Sequence, residues 1–172
     1  MGDIIGIIDK IIEEHKVLLT QAAQLEIITN DAGAMMAMNK STEVFMPGRL
    51  DQSQSLKKFE DLRNKIQEGL SAHFQREETS LLEAILEFGD KNIIITLKKL
   101  LSQHWAFRTS LKDLQYESNE LINGQLSRAL WEPKAYIMRA HIAEMHTRLE
   151  QHAKNEQQLL NEVRKKLIKA KE

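Results

Sequence analysis

The chain has 172 residues, of which 42% are apolar and 28% charged, with a formal net charge of −1 and no cysteine. This length suits one domain, residues 1–172, around one continuous core. The near-neutral charge argues against nucleic acid or an anionic membrane as partner, and the lack of thiols excludes disulfides, thiolate zinc sites, cysteine-held iron–sulfur clusters and thiol nucleophiles.

The start, Met1-Gly2-Asp3-Ile4-Ile5, has neither the basic region nor the small-residue cleavage site of a signal peptide. No apolar run is long enough to span a bilayer, so the expectation is a cytoplasmic protein. Two prolines and seven glycines, mostly placed between periodic segments, favour long helices. The first helix is predicted from Asp3, as N-cap, to Asn30. Residues 31–51, with Gly33, Met35, Met36, Met38 and Pro47-Gly48, read as a long connection. A second helix is predicted from Ser53 or Ser55 to Glu87, and Phe88-Gly89-Asp90 reads as a tight turn, Gly89 ending one helix and Asp90 capping the next. A third helix is predicted over 90–117. Ser118–Glu132 reads as a second connection broken at Gly124, with Pro133 in the first turn of a fourth helix that reaches about residue 170. The cations from Arg164 to Lys171 suit the negative end of that helix dipole. Strand-like alternation is absent.

Each helix carries an apolar seam at steps of three and four, the pattern of an all-α, up-down-up-down four-helix bundle. The seams run through Ile8, Ile11, Leu18, Ala22 and Leu25; Phe59, Ile66, Leu70 and Leu81; Ile93, Leu97, Leu100, Phe107 and Leu111; and Met138, Ile142, Met145, Leu149, Leu159 and Val163. Six seam positions are not apolar: His15, His73, Glu77, His104, His152 and Glu156. One buried histidine would be a structural residue more often than a ligand. One per helix, together with two carboxylates, is different, because an unpaired buried carboxylate costs several kcal/mol and the seams supply almost no lysine or arginine to offset it.

Spacing and height support a cation. His73 and Glu77 are four apart, as are His152 and Glu156, so each pair shares a helix face. In alternating helices, a rise of 1.5 Å per residue puts His15 about 18 Å from the start of its helix and His73 and His104 about 21 Å from their shared end. His152 falls about 27 Å from the end of a helix that overhangs the rest, so the four histidines form roughly one layer. Imidazole and carboxylate without thiolate suit iron, manganese or zinc. Four nitrogens and two carboxylates exceed one tetrahedral zinc and suit two six-coordinate ions, each with two histidines, bridged by the carboxylates and a solvent-derived oxygen.

These residues resemble the hemerythrin-like family, in the branch named for its His-His-Glu cation-binding motif. The matching segments are Glu13-Glu14-His15-Lys16, His73-Phe74-Gln75-Arg76-Glu77-Glu78, Gln103-His104 and His152-Ala153-Lys154-Asn155-Glu156, and the resemblance covers nearly the whole chain. It implies a non-haem centre of two iron ions, oxo- or hydroxo-bridged, with Glu77 and Glu156 both bridging; manganese and zinc are the other candidates. The chain departs from the oxygen carriers of the family. They have a second histidine four residues after that of the third helix, where this chain has Arg108, and an aspartate five residues after that of the fourth, where it has Gln157 preceded by Glu156.

The resemblance therefore implies a protein that binds, senses or reduces a small oxidant (dioxygen, peroxide or nitric oxide) rather than one that carries oxygen. The alternatives are an iron-storage or metal-binding module without turnover and an interaction module locked by its metal. A ferritin-like oxidase is disfavoured because the Glu-x-x-His motif is absent. Partners beyond a small diatomic or peroxide ligand are not indicated, and the oligomeric state is open. Tyr116 and Tyr136 read as packing residues rather than redox partners, and Trp105 as core or surface packing. Arg108 reads equally as a gate or carboxylate partner and as a surface residue. His141 and His146 read as lying outside the ligand set, His141 being about 16 Å along the helix from His152.

Overall fold

The computed structural model describes residues 4–30, 50–123 and 126–169, all but a few of them helical. The first rod is α1 (Ile4–Asn30). The second is α2 (Leu50–Arg76), a wide π turn at Glu77–Leu81 and α3 (Leu82–Phe88). The third is α4 (Lys91–Leu101) and α5 (His104–Asn123), and the fourth is α6 (Arg128–Lys169). The expected connection at 31–51 and the N-cap at Asp3 lie outside the described residues, apart from Leu50 and Asp51, which are already helical. The second helix thus begins before Ser53.

Two apolar clusters fix the direction of the rods. One joins Ile8 and Ile11, Leu81 and Ile85, Ile93 and Leu97, and Leu159, Leu160 and Val163. The other joins Leu18 to Leu25, Phe59 to Phe74, Phe107 to Leu121, and Trp131 to Leu149. The beginning of the first rod therefore packs with the end of the second, the beginning of the third and the end of the fourth. Successive rods run in opposite directions, as the seams predict. Burying these side chains supplies the drive, at about 1.5–3 kcal/mol for each fully buried aliphatic or phenyl group.

The turn between the second and third rods follows its sequence. Gly89 adopts φ 77°, a left-handed conformation that a side chain would strain, and its N–H reaches the Ile85 carbonyl at 3.2 Å. Asp90 then accepts hydrogen bonds from the backbone N–H groups of Asn92 and Ile93 at 3.0 and 3.1 Å.

Two expectations are corrected. The third helix does not end at residue 117, because its seam continues through buried Ser118 and Leu121. The Ser118 hydroxyl donates to the Gln115 carbonyl and accepts from the Arg63 guanidinium, so this serine is a satisfied interior group and not the start of a loop. Nor does Pro133 lie in the first turn of the last helix, which starts five residues earlier at Arg128. Trp131 is the cause. Its backbone N–H and that of Leu130 bond to the Ser127 carbonyl, its ring is buried, and its indole N–H donates to the Leu121 carbonyl at 3.0 Å. Anchoring that ring against the end of α5 draws the helix start back past the proline. Gly124 lies outside the described residues.

Candidate metal centre

The two apolar clusters leave a layer between them, and the six polar seam residues fill it. His15 stands between Ile11 and Leu18, His104 between Leu100 and Phe107, and the pairs His73/Glu77 and His152/Glu156 occupy the same gap on their rods. All six are buried, Glu77, His104 and Glu156 completely.

Two helix irregularities fall at this level. Positions 73, 77, 81 and 85 recur at steps of four, which drift by about 40° per step around an ideal 3.6-residue helix. The π turn at Glu77–Leu81 takes up that drift, so that Glu77, Leu81 and Ile85 all remain buried. In the third rod, Ser102 and Gln103 interrupt the helix, with the Gln103 N–H turned to the Leu100 carbonyl at 3.0 Å. This break places the Gln103 amide oxygen 2.9 Å from His152 Nδ1. The seam pattern predicts neither irregularity.

The donors form two groups that share one residue. His15, His73, Glu77 and Glu156 can place one ligand atom each within 4.8 Å of one another, and so can Glu77, His104 and His152. The two oxygens of Glu77 divide between the groups: Oε1 lies 2.7 Å from His73 Nε2 and 3.9 Å from His15 Nε2, and Oε2 lies 2.9 Å from His104 Nε2. Glu156 Oε2 lies 3.1 Å from His15 Nε2 and 3.8 Å from His152 Nε2. Among the described residues no hydrogen bond satisfies His73 Nε2, His104 Nε2, His152 Nε2, either oxygen of Glu77 or Glu156 Oε1. So many bare, buried lone pairs in one place would be costly. Cations bound among them would satisfy them together, so the residues present fit a metal centre.

The histidines are held from behind. His73 Nδ1 donates to Glu14 at 2.9 Å, and Arg76 bonds the same carboxylate at 2.8 and 3.0 Å. His104 Nδ1 donates to Glu78 at 2.8 Å, and Arg108 grips that carboxylate with two bonds of 2.8 and 2.9 Å. With Gln103 behind His152, three rings have Nδ1 as the N–H donor, which turns the bare Nε2 lone pair inward. His15 Nδ1 has no such partner among the described residues.

Titration follows the surroundings. Burial, reinforced by the neighbouring Glu156, pushes Glu77 well above the usual carboxylate range, although His104 works in the other direction. Burial also opposes the charge of Glu156, but the hydrogen bond from His15, the neighbouring Glu77 carboxyl and the nearby imidazoles outweigh it and lower its pKa. Burial lowers His152 to about 4. Glu14 is held below its usual value by Arg76 and His73 in spite of its burial, and Glu78 is lowered chiefly by its hydrogen bond to Arg108. The outer carboxylates are therefore fixed anions that accept from the imidazoles.

Arg108 resolves as a carboxylate partner. Glu14, Glu78, Arg76 and Gln103 are participants that seam reasoning misses, because it scores only buried faces. Their signal was adjacency: Glu14 precedes His15, Arg76 and Glu78 flank Glu77, and Gln103 precedes His104. His141 and His146 lie apart from the layer and pair with Glu117 at 2.9 Å and Glu26 at 2.5 Å. Tyr116 and Tyr136 are 65% and 68% exposed, which corrects their reading as packing residues, and Trp105, 74% exposed, falls on the surface side of its reading.

A helical bundle with a buried layer of imidazoles and carboxylates defines a cation-binding helical protein. The family model for the hemerythrin HHE cation-binding domain matches residues 6–163, and the chain belongs to that family. No curated protein and no solved structure matches it significantly. Among the described residues no helix is long and apolar enough to cross a membrane.

Proposed function

We propose that the chain is a non-haem di-iron protein, a single hemerythrin-like domain that binds, senses or reduces a small oxidant such as dioxygen, peroxide or nitric oxide. His15 and His73 would hold one ion and His104 and His152 the other. Glu77 and Glu156 would complete the set, Glu77 with one oxygen toward each donor group. The observation that carries this reading is the division of the Glu77 carboxylate between two donor groups, one oxygen toward each. A single-ion site would need no such division.

The iron pair, when bound, would supply redox chemistry. The protein's own part is to bind, orient and shield. Three of the imidazoles are locked in one tautomer, two of them by carboxylates that Arg76 and Arg108 clamp in turn and the third by the Gln103 amide. Phe74 and Phe107 exclude water around His104 and His152. Arg108, standing where the oxygen carriers have a ligand, is committed to Glu78, and this supports a centre with fewer protein nitrogens and more room for an external ligand.

Metal analysis of the purified protein tests the reading. We expect two irons per chain and a charge-transfer absorption that shifts with azide, peroxide or nitric oxide. One zinc and no iron would overturn the di-iron proposal. Two irons with an absorption unresponsive to all three would favour storage or a structural metal.

A further inference from the structure

Among the described residues, three surface clefts border the donor layer, and they differ in what lines them. A cleft of about 520 Å³ between α1 and α2 is lined by Glu14, the outer partner of His73. A cleft of about 450 Å³ beside α4 and α6 is lined by Gln103, the outer partner of His152. The third, of about 370 Å³ between α1 and α6, is lined by His15 itself, with Ile12, Lys16, Leu19, Lys154 and Gln157 around it. Of the three, this one has a donor of the layer as its floor.

His15 is also held differently from the other three imidazoles, through a hydrogen bond between its Nε2 and Glu156 Oε2 at 3.1 Å. The other three are held by Nδ1 hydrogen bonds of 2.8–2.9 Å to Glu14, Glu78 and Gln103. The Nδ1 of His15 is buried with no partner among the described residues. His104 lies flat against Phe74, with ring centroids 3.9 Å apart, and His152 lies edge-on to Phe107 at 5.5 Å. The ring contact of His15 is edge-on to His73 at 4.8 Å. A pivot of its ring about the Nε2 contact with Glu156 therefore breaks no Nδ1 hydrogen bond.

We propose that the cleft between α1 and α6 is the portal through which small ligands reach the centre, and that the His15 ring, without a partner at Nδ1, is its gate. The proposal rests on the di-iron reading. The portal admits a ligand when the His15 ring pivots about its Nε2, which keeps its place beside Glu156 and in the donor set, and the faces at His73, His104 and His152, each pinned at Nδ1, stay shut.

Azide is the probe, and its association with the iron-loaded protein is followed by stopped-flow absorption. Gln157→Trp fills the portal from an exposed position. It should slow azide association and dissociation together, each by about tenfold, leaving the equilibrium affinity unchanged. Leu19→Gln, one turn beyond His15, offers the ring a hydrogen-bond partner and should slow both rates in the same sense. Thr96→Trp in the cleft at Gln103 and Lys65→Trp in the cleft at Glu14 should leave the rates within about twofold of wild type. The same order should hold in cobalt(II)-loaded protein, where no change of oxidation state contributes. Unchanged rates in Gln157→Trp, with its helical circular dichroism intact, would overturn the portal. So would equal slowing by Thr96→Trp or Lys65→Trp. Metal analysis before the kinetics separates the two levels: a wild-type protein without two bound metal ions overturns the di-iron reading itself and the portal with it.

Discussion

The two halves of the donor layer use the same chemistry in different surroundings. His104 and His152 sit among aromatic rings: Phe74 stacks on His104 at an interplanar angle of 16°, and Phe107 stands 5.5 Å from His152. The Arg108 guanidinium covers the other side of Phe74 at 5.4 Å while gripping Glu78. His15 and His73 meet edge-on at 4.8 Å, and Phe74 reaches His73 at a tilt, 5.9 Å away. His73 is pinned by Glu14, but His15 has no outer partner and borders an open cleft. Donor identity alone does not make a site rigid or accessible. That depends on what stands behind each donor.

The comparison breaks most completely at the residue both halves share. Glu77→Ala should reduce the metal content from two ions per chain to one or none, as read by metal analysis, whereas unchanged stoichiometry would remove the bridge. Next in size is the aromatic wall. Phe74→Ala in the closed half should destabilise the fold by about 3–5 kcal/mol in chemical denaturation, and Leu19→Ala beside the open half should do so by clearly less, because Leu19 is only partly buried. Equal losses would mean that the two halves are equally packed. Third come the outer partners. Glu78→Gln removes the fixed anion behind His104 and should weaken metal binding by about 10–100-fold, read by competition with a chelator. Tyr116→Phe, on the exposed surface, should change nothing measurable.

Acidity gives the smallest and broadest effect. His152 is lowered to about 4, below the usual value of 6.5 that it regains on unfolding. Between those values the unfolded chain binds the extra proton, so this group makes the metal-free protein lose stability as pH falls from 6.5 toward 4. Glu77 is shifted upward by burial and acts in the opposite sense, losing stability as pH rises above 4.5 toward its raised folded value. Its proton must also leave before the carboxylate can bind a cation. Metal binding should therefore strengthen with pH and release protons into a weakly buffered solution, and cobalt(II) titration with a pH indicator checks this.

Much of this architecture is legible in the seams. Steps of three and four locate the cores of all four rods, and the polar interruptions at residues 15, 73, 77, 104, 152 and 156 do fall in one layer, because a bundle converts sequence position into height. Gly89 and Asp90 are legible for a local reason, since one must end a helix and the other cap the next. What is not legible depends on contacts between rods. Trp131 moves a helix start past a proline only because the Leu121 carbonyl waits for its indole. Ser118 looks like a loop residue until Arg63 reaches it. Glu14 and Glu78 look like solvated charges until the bundle brings each behind an imidazole of another rod. The asymmetry between His15 and the other histidines is of the same kind, visible only once the surroundings of each ring are known.

The most direct measurement is an anomalous difference map collected at the iron absorption edge from crystals of the protein as purified. The account predicts two peaks within one layer, one beside His15 and His73 and the other beside His104 and His152, with the Glu77 carboxylate between them. A single peak, or a signal that appears at the zinc edge and not at the iron edge, would contradict it.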